Sequence, residues 1–507
     1  MKKLLYCSLF IFFLFISCGP APSANETRLT ILHTNDTHGR LLPFSYPASA
    51  RTGSPDFRAD IGGIARRAAI FRNLREELGR QKTEVWLVDA GDFMDGTAFS
   101  LEYRGKADVE AMNAAGYTFG VLGNHEFNMP LDTLKDLLNI FSFPVLSANA
   151  IETATGLPLT ETSVIRNVGP VRVGIFGLVT RSAAGYPAAR DGVVIEGEIE
   201  TARRMVSELE PSTDIIILLS HCGENLDRRI AASVPGIDVI VGGHSHSRLP
   251  LGVFLPPSRS SKAGKPRGTV LVQAHQWGGE LGRLDLVFTR DSGGNWHIEH
   301  YDASLIAVTA DIPEDEKTAA VVNRYWQPIA GRYGEVIGRA AADFIDRGND
   351  MTAYNLMADA VRETFGVELA LENLGGVRAP LIEGDITLAD LAAMDPFDNT
   401  IVTFTISGKQ LRRILQTSRP AVSGIRYRVE DGAVVEATVA GAPLAESRMY
   451  SGAANSYFAR TAMRSIKVMD SGRQRLDVLT DYVRKKEIVK PVFDGRRVIR
   501  QEGPARP

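Results

Sequence analysis

"FGVLGNHEFNMP", Phe119 to Pro130, sets an apolar run directly against a cluster of polar groups. Phe119, Val121 and Leu122 suit a buried strand. Asn124 and His125 follow at once, and Asn128 comes three residues later. A buried strand ending on an amide and an imidazole delivers both to one edge of a sheet. The same grammar recurs in "ILHTNDTHG", "VDAGDFMDG", "LLSHCGEN" and "VGGHSHS". The chain has nine histidines, and five of them stand just past such runs: His38, His125, His221, His244 and His246. Asp36, Asp92 and Asn124 stand there too.

The runs alternate with helical segments such as "GGIARRAAIFRNLREELGR" and "DVEAMNAAG". Strands apolar on both faces and separated by helices predict an α/β fold with covered sheets. In open α/β sheets, ligand groups collect at the carboxyl ends of strands. One histidine after a strand is weak evidence, since it is more often a structural hydrogen-bonder than a ligand. Five segments with one grammar point to a shared rim.

The donor set is imidazole, carboxylate and amide, without thiolate. It suits Zn, Mn, Fe or Co and is too rich in nitrogen for a dedicated calcium site. Six or seven ligands exceed the needs of one ion. Two divalent ions about 4 Å apart, bridged by a carboxylate, would use them all. Asp36 and Asp92 balance two of their four charges, which favours an anionic substrate such as a phosphate ester.

At 507 residues the chain exceeds one ordinary domain, so two or three are expected. A net charge of -3 gives no reason to expect a nucleic-acid surface. The N-terminus "MKKLLYCSLFIFFLFISC" places two lysines before a short apolar run and fits a signal peptide. "FISC" resembles a lipobox with Cys18 as the lipidated residue, although Phe15 departs from the usual aliphatic side chain there. Export to the periplasm or cell surface, with the lipid as the only membrane attachment, is the expectation. Cys7 and Cys18 are then spent, and Cys222 is left without a disulfide partner. "PPSRSSKAGKPRGT" reads as a solvated basic loop. In "DIPEDEKTAAVVNRYWQPIAGRYGEVIG", Val322, Trp326, Ile329 and Tyr333 recur at helical spacing. They predict a linking helix after Pro313, interrupted at Pro328. A second α/β domain follows, with Thr387 and Asp390 placed to start a helix.

Taken together, "ILHTNDTHGR", "DAGDFMDG", "LGNHEF", "LSHCG" and "GGHSH" resemble, in order, the motifs of the 5′-nucleotidase family of calcineurin-like metallophosphoesterases. "NLGGVRAPLIEGDITLADLAAMDPFDNT" resembles that family's C-terminal domain. The resemblance implies a four-layer αββα metallophosphatase domain and a C-terminal α/β substrate-binding domain. Expected boundaries are 1–17 for the signal, 18–27 for the tether, 28–310, a linker at 311–335, and 336–507.

It also implies a ligand set. One ion takes Asp36, His38, bridging Asp92 and His246; the other takes Asp92, Asn124, His221 and His244. His125 matches the histidine that stabilises charge on the phosphoryl group. Arg347, Asn373, Arg378, Phe397 and Asn399 match substrate positions, with Gly424 carried over beside them. Tyr457 stands for a second base-stacking aromatic. The implied reaction is release of phosphate from extracytoplasmic nucleoside 5′-monophosphates. UDP-sugar and 2′,3′-cyclic nucleotide hydrolysis use the same metals with a different pocket. A nucleotide-binding or adhesive surface lipoprotein with vestigial catalysis, and a relative of thiosulfate-oxidation type, complete the alternatives.

Two departures stand out. The family's "GGDG"-like turn after the second aromatic is replaced by "ARTAMRS", so a substrate-contacting aspartate is missing. The family commonly has Asp where this chain has Asn128. Asn128 is expected to orient the imidazole of His125 without supplying charge.

Overall fold

The computed structural model describes residues 26–46, 60–257 and 268–500. The expected signal peptide, Cys18, most of the tether and most of the basic loop lie outside the described residues. Among the described residues no helix is long and apolar enough to cross a membrane.

Five strands lead to the site: β1 (Glu26–Thr34), β2 (Glu84–Asp89), β3 (Phe119–Val121), β4 (Ile215–His221) and β5 (Val239–Gly242). One six-stranded sheet runs Trp296–Ala307, Glu280–Arg290, β1, β2, β3, Val145–Leu146. The other runs Val253–Leu255, Thr269–Val272, β5, β4, Val171–Val179, Ser163–Val168. The inner strands are parallel in both, so their carboxyl ends share one edge. Alternation along each strand sorts the core. Leu29 and Ile31 of β1 meet Ile215, Ile217, Val239 and Val241 between the sheets. Leu32 and Leu87 face outward, onto α1 (Ile64–Arg80) and α2 (Lys106–Ala115). Ile216, Leu218 and Ile240 face α3 (Glu198–Leu209) and α4 (Glu224–Ser233) on the other side. The result is helices, sheet, sheet, helices.

The linking helix α5 spans Glu316–Tyr333, capped by the Asp315 side chain, which accepts from the Thr318 amide at 2.8 Å. It is not interrupted at Pro328, contrary to the sequence expectation. Proline removes one backbone donor, but packing on both sides of that residue holds the axis. Val322 packs against the core beneath α1 and α2. Ile329 and Tyr333 pack with Ala98, Leu388 and Ala392. The helix therefore joins the two-sheet core to the C-terminal part.

That part is built on a five-stranded sheet: Ala421–Ser423, Leu369–Glu372, Met449–Asn455, Thr400–Ser407, Val468–Gln474. Helices α6 (Thr352–Phe365) and α9 (Arg475–Lys486) contribute to its core, and α7 (Leu388–Met394) and α8 (Ser456–Ala462) flank its loops. Thr387 and Asp390 form a reciprocal capping box on α7.

Candidate metal centre and active-site cleft

The loops leaving β1 and β2 run side by side. The Asp36 amide donates to Gly91 O at 2.8 Å, His38 to Asp92 O at 3.0 Å, and Gly39 to Phe93 O at 2.8 Å. These bonds bring Asp36, His38 and Asp92 together. His125 N–H donates to Asp92 Oδ1 at 2.8 Å, and His244 N–H to Asp36 Oδ2 at 2.9 Å. Glu126, fully buried, accepts from the Gly123 amide at 2.6 Å and from the Asp92 amide at 3.0 Å. It braces the β2 and β3 loops against each other. Approach is too close for side chains: a Cβ on Gly123 would stand 2.1 Å from Asp92 Oδ1.

Five of the seven residues expected as metal ligands have left-handed backbones: Asp36, His38, Asp92, His244 and His246. Such conformations are unfavourable for non-glycine residues and gather at functional sites.

The groups converge in three overlapping sets: Asp36 with His38 and His246; His38 with Asp92 and His125; Asp92 with His221 and His244. His246 Nε2 lies 3.2 Å from Asp36 Oδ1, and His221 Nε2 lies 3.1 Å from Asp92 Oδ2. His38 Nε2 and His125 Nε2 each stand 4.0 Å from Asp92 Oδ2. Asp36 and Asp92 thus sit among four imidazoles at almost no solvent exposure.

Whether metal ions fit is answered by atoms that lack partners. Asn124 Oδ1 and His221 Nε2 are buried without a hydrogen bond. Leaving such groups unmatched is costly. The Asn124 amide is oriented by Nδ2, which donates to Tyr186 Oη at 3.1 Å and so frees Oδ1 for the site. The backbone carbonyls of Ala90 and Met94 take Nδ1–H of His221 and His38, at 2.7 and 3.1 Å. That turns Nε2 of both rings toward the centre, where His221 Nε2 meets Asp92 Oδ2 and His38 Nε2 accepts from Arg378. Nε2 of His221 facing a carboxylate oxygen calls for a cation between them, a proton in the bare site and a metal ion in the loaded one. Burial opposes charge on His221, yet Asp92 and Asp36 raise its pKa to about 10. Burial holds His244 down at about 4. This donor set fits two divalent ions of the zinc, manganese, cobalt or iron kind.

A cavity of about 630 Å³ adjoins this centre at His125 and is lined by both parts of the chain. His125, Asp95, Asn128 and Tyr186 line it from one side; Asn373, Arg378, Phe397, Asn399 and Tyr457 line it from the other. Arg378 Nη2 donates to His38 Nε2 at 3.0 Å, reaching across the two domains. Asn373 Oδ1 accepts from Asn455 Nδ2 at 2.9 Å. Arg475, fully buried, bonds Asp395, Glu372 and Gly376 O, and so ties the loops bearing Asn373 and Phe397 together.

Other expected positions fall elsewhere. Gly424 does not line the cavity; it turns the chain between Ser423 and Ile425 at φ 76°, where a Cβ would strike Glu368 O at 2.1 Å. Its backbone geometry alone accounts for the glycine. Arg347 ends a two-residue strand, and its side chain lies outside the described residues. The Asn128 side chain hydrogen-bonds Asp95 and not the imidazole of His125. Its Nδ2 donates at 2.7 Å to Asp95 Oδ2, and that oxygen lies 2.8 Å from His125 Nδ1. Sequence reasoning missed Asp95, although it stands in the quoted "DAGDFMDG". It also missed Tyr186 and the cavity arginines Arg104, Arg190 and Arg460.

The calcineurin-like phosphoesterase family model matches residues 29–248, and the 5′-nucleotidase C-terminal domain model matches residues 336–466. The mouse 5′-nucleotidase is 31% identical over 540 aligned positions, covering 94% of this chain and 91% of that protein. A snake venom 5′-nucleotidase from Gloydius brevicauda is 32% identical, covering 78% of this chain and 71% of that one. The solved structure of a 5′-nucleotidase precursor from Thermus thermophilus superposes with a TM-score of 0.80 at 28% identity. That match covers 94% of this chain and 100% of the other.

Proposed function

The chain belongs to the 5′-nucleotidase family of metallophosphoesterases, and from that premise we propose that it releases phosphate from nucleoside 5′-monophosphates outside the cytoplasm. The observation that carries this reading is the cavity. Its lining sets His125 and Arg378, which adjoin the candidate ligands Asp92 and His38, together with the aromatic rings of Phe397 and Tyr457. A phosphoryl group and a planar base are the two ends of a nucleotide.

Asp36, His38, Asp92 and His246 would hold one ion, and Asp92, Asn124, His221 and His244 the other. When bound, the ions supply positive charge for the phosphoryl oxygens and a water of lowered pKa. Arg378 pairs with phosphoryl oxygens in a charge-assisted fork. His125 Nε2 donates a hydrogen bond to the oxygen on which charge develops. Phe397 and Tyr457 hold the base by stacking, and Asn373 and Asn399 bind polar edges of the leaving nucleoside. Water oxygen bonds to phosphorus as the P–O5′ bond breaks, a proton from that water ends on O5′, and nucleoside and inorganic phosphate leave. Anchoring through Cys18 rests on the N-terminal sequence; incorporation of labelled fatty acid, lost in Cys18→Ser, tests it.

One observation favours a second reading within the family. Arg104, Arg190 and Arg460 line the cavity, and none forms an ion pair among the described residues. A leaving group with its own phosphate, as in a nucleotide sugar, would use them. Steady-state rates on AMP, UDP-glucose and 2′,3′-cAMP, with metal-depleted and metal-restored protein, rank these substrates. No metal-dependent turnover of any of them refutes the nucleotide reading and favours a binding protein with vestigial catalysis.

A further inference from the structure

We propose that Asp95 is the positioning residue for His125 and that Asn128 holds Asp95 in turn. The family pattern gives this work to a carboxylate at position 128. The proposal rests on the phosphohydrolase reading and deepens it.

Asp95 Oδ2 accepts His125 Nδ1–H at 2.8 Å and Asn128 Nδ2–H at 2.7 Å. One carboxylate oxygen thus receives both donors. Asp95 is 5% exposed, and its own amide donates to Ser100 Oγ at 2.8 Å. The backbone there is left-handed, at φ 74°. An aspartate tolerates that conformation better than most side chains but still at a cost. Strain of this kind persists where surrounding contacts over-determine it.

The consequence for His125 is geometric. With Nδ1–H committed to Asp95 and the backbone amide bonded to Asp92 Oδ1 at 2.8 Å, the ring can present only Nε2 to the cavity. A carboxylate at position 128 would put two anions in contact. An amide there supplies a donor to the carboxylate already present. Asp95 and Asn128 are therefore complementary, and Asn128 marks a displaced carboxylate rather than a lost one.

The test uses metal-loaded, full-length protein carrying Asp95→Asn, Asn128→Asp, or both. Asparagine tolerates the left-handed backbone at 95, so the fold is kept. Asp95→Asn is expected to lower kcat about 10²-fold, with KM within about threefold and both metals retained. The downfield His125 Nδ1 proton of the zinc-loaded protein is expected to move upfield. Asn128→Asp alone also lowers kcat, because two carboxylates then meet. The double variant returns the carboxylate to position 128 and recovers kcat to within about tenfold of the parent. An Asp95→Asn enzyme within twofold of the parent overturns the proposal. So does a loss of rate that tracks loss of metal, or a double variant no better than the single one. If the parent itself turns over no phosphate ester, the substrate reading fails. The Nδ1 proton then decides the role of Asp95 alone: a shift in Asp95→Asn supports it, and an unchanged resonance refutes it.

Discussion

Asp108 is 1% exposed, and neither carboxylate oxygen has a hydrogen-bond partner. Burial pushes its pKa from 3.8 up to about 8. Between those values the folded state keeps the proton and the unfolded state releases it, so stability falls as pH rises through that window. Asp108→Asn removes the titration. At pH 8.5 the variant should be more stable by up to about 5 kcal/mol, and at pH 4 nearly unchanged. Urea melts at both values check this; equal shifts would show that the charge is not the cause. A second residue-scale prediction separates binding from chemistry. His125 lies in a geometric set with His38 and Asp92, yet its proposed role is off the metals. His125→Ala should keep two metals per chain by elemental analysis while losing about 10²–10⁴-fold in rate. Loss of an equivalent of metal would make it a ligand instead. Residues such as His38 and Asp92 were legible because a polar group directly after an apolar run is a local signal. Asp95 was not, because its meaning depends on two loops about thirty residues apart meeting, which only the parallel pairing of β2 and β3 accomplishes.

Elements were legible where periodicity was strong and obscure where packing overrode local preference. The strands of the sandwich and the capping box at Thr387 follow from sequence pattern alone. Pro328 misleads because burial on either side of it outweighs one missing donor. "ARTAMRS", which replaces the glycine-rich turn, begins as the last residues of α8 (Ser456–Ala462), a helix capped by the Asn455 side chain, which accepts from the Phe458 amide at 2.8 Å. The helix carries Tyr457 and Arg460 to the cavity wall. The loops bearing Asn373 and Phe397 are anchored by Arg475, whose buried guanidinium pairs with both Asp395 and Glu372. Removing one partner of such a cluster strands the others. Arg475→Met is expected to cost about 3–5 kcal/mol and to raise KM for nucleotides, because the segments bearing Asn373 and Phe397 lose their common tie. A melt together with KM measured well below the variant's midpoint tests both. A destabilised variant with unchanged KM would limit Arg475 to the fold.

At the scale of the molecule, the bond from Arg378 to His38 carries the most consequence. It joins residues 340 positions apart and closes the cavity over the candidate metal centre. His38 Nδ1–H is already given to Met94 O, so Nε2 has one lone pair. That lone pair can serve Arg378 or an ion, but not both. Loaded with metals and without an anion, the protein would set a guanidinium against two cations, and repulsion would loosen the closure. A bound phosphate reverses the sign, because Arg378 then meets an anion that the metals also hold. Closure should therefore depend on anion once metals are present. In metal-loaded wild-type protein, inorganic phosphate is expected to slow amide hydrogen exchange in residues 373–378. Arg378→Ala should retain both metals, lose that phosphate-dependent protection, and weaken phosphate binding by about 1.5–3 kcal/mol. Equal protection in wild type and variant would mean that the interdomain contacts around Ile329 and Tyr333, rather than the anion, set the closed arrangement.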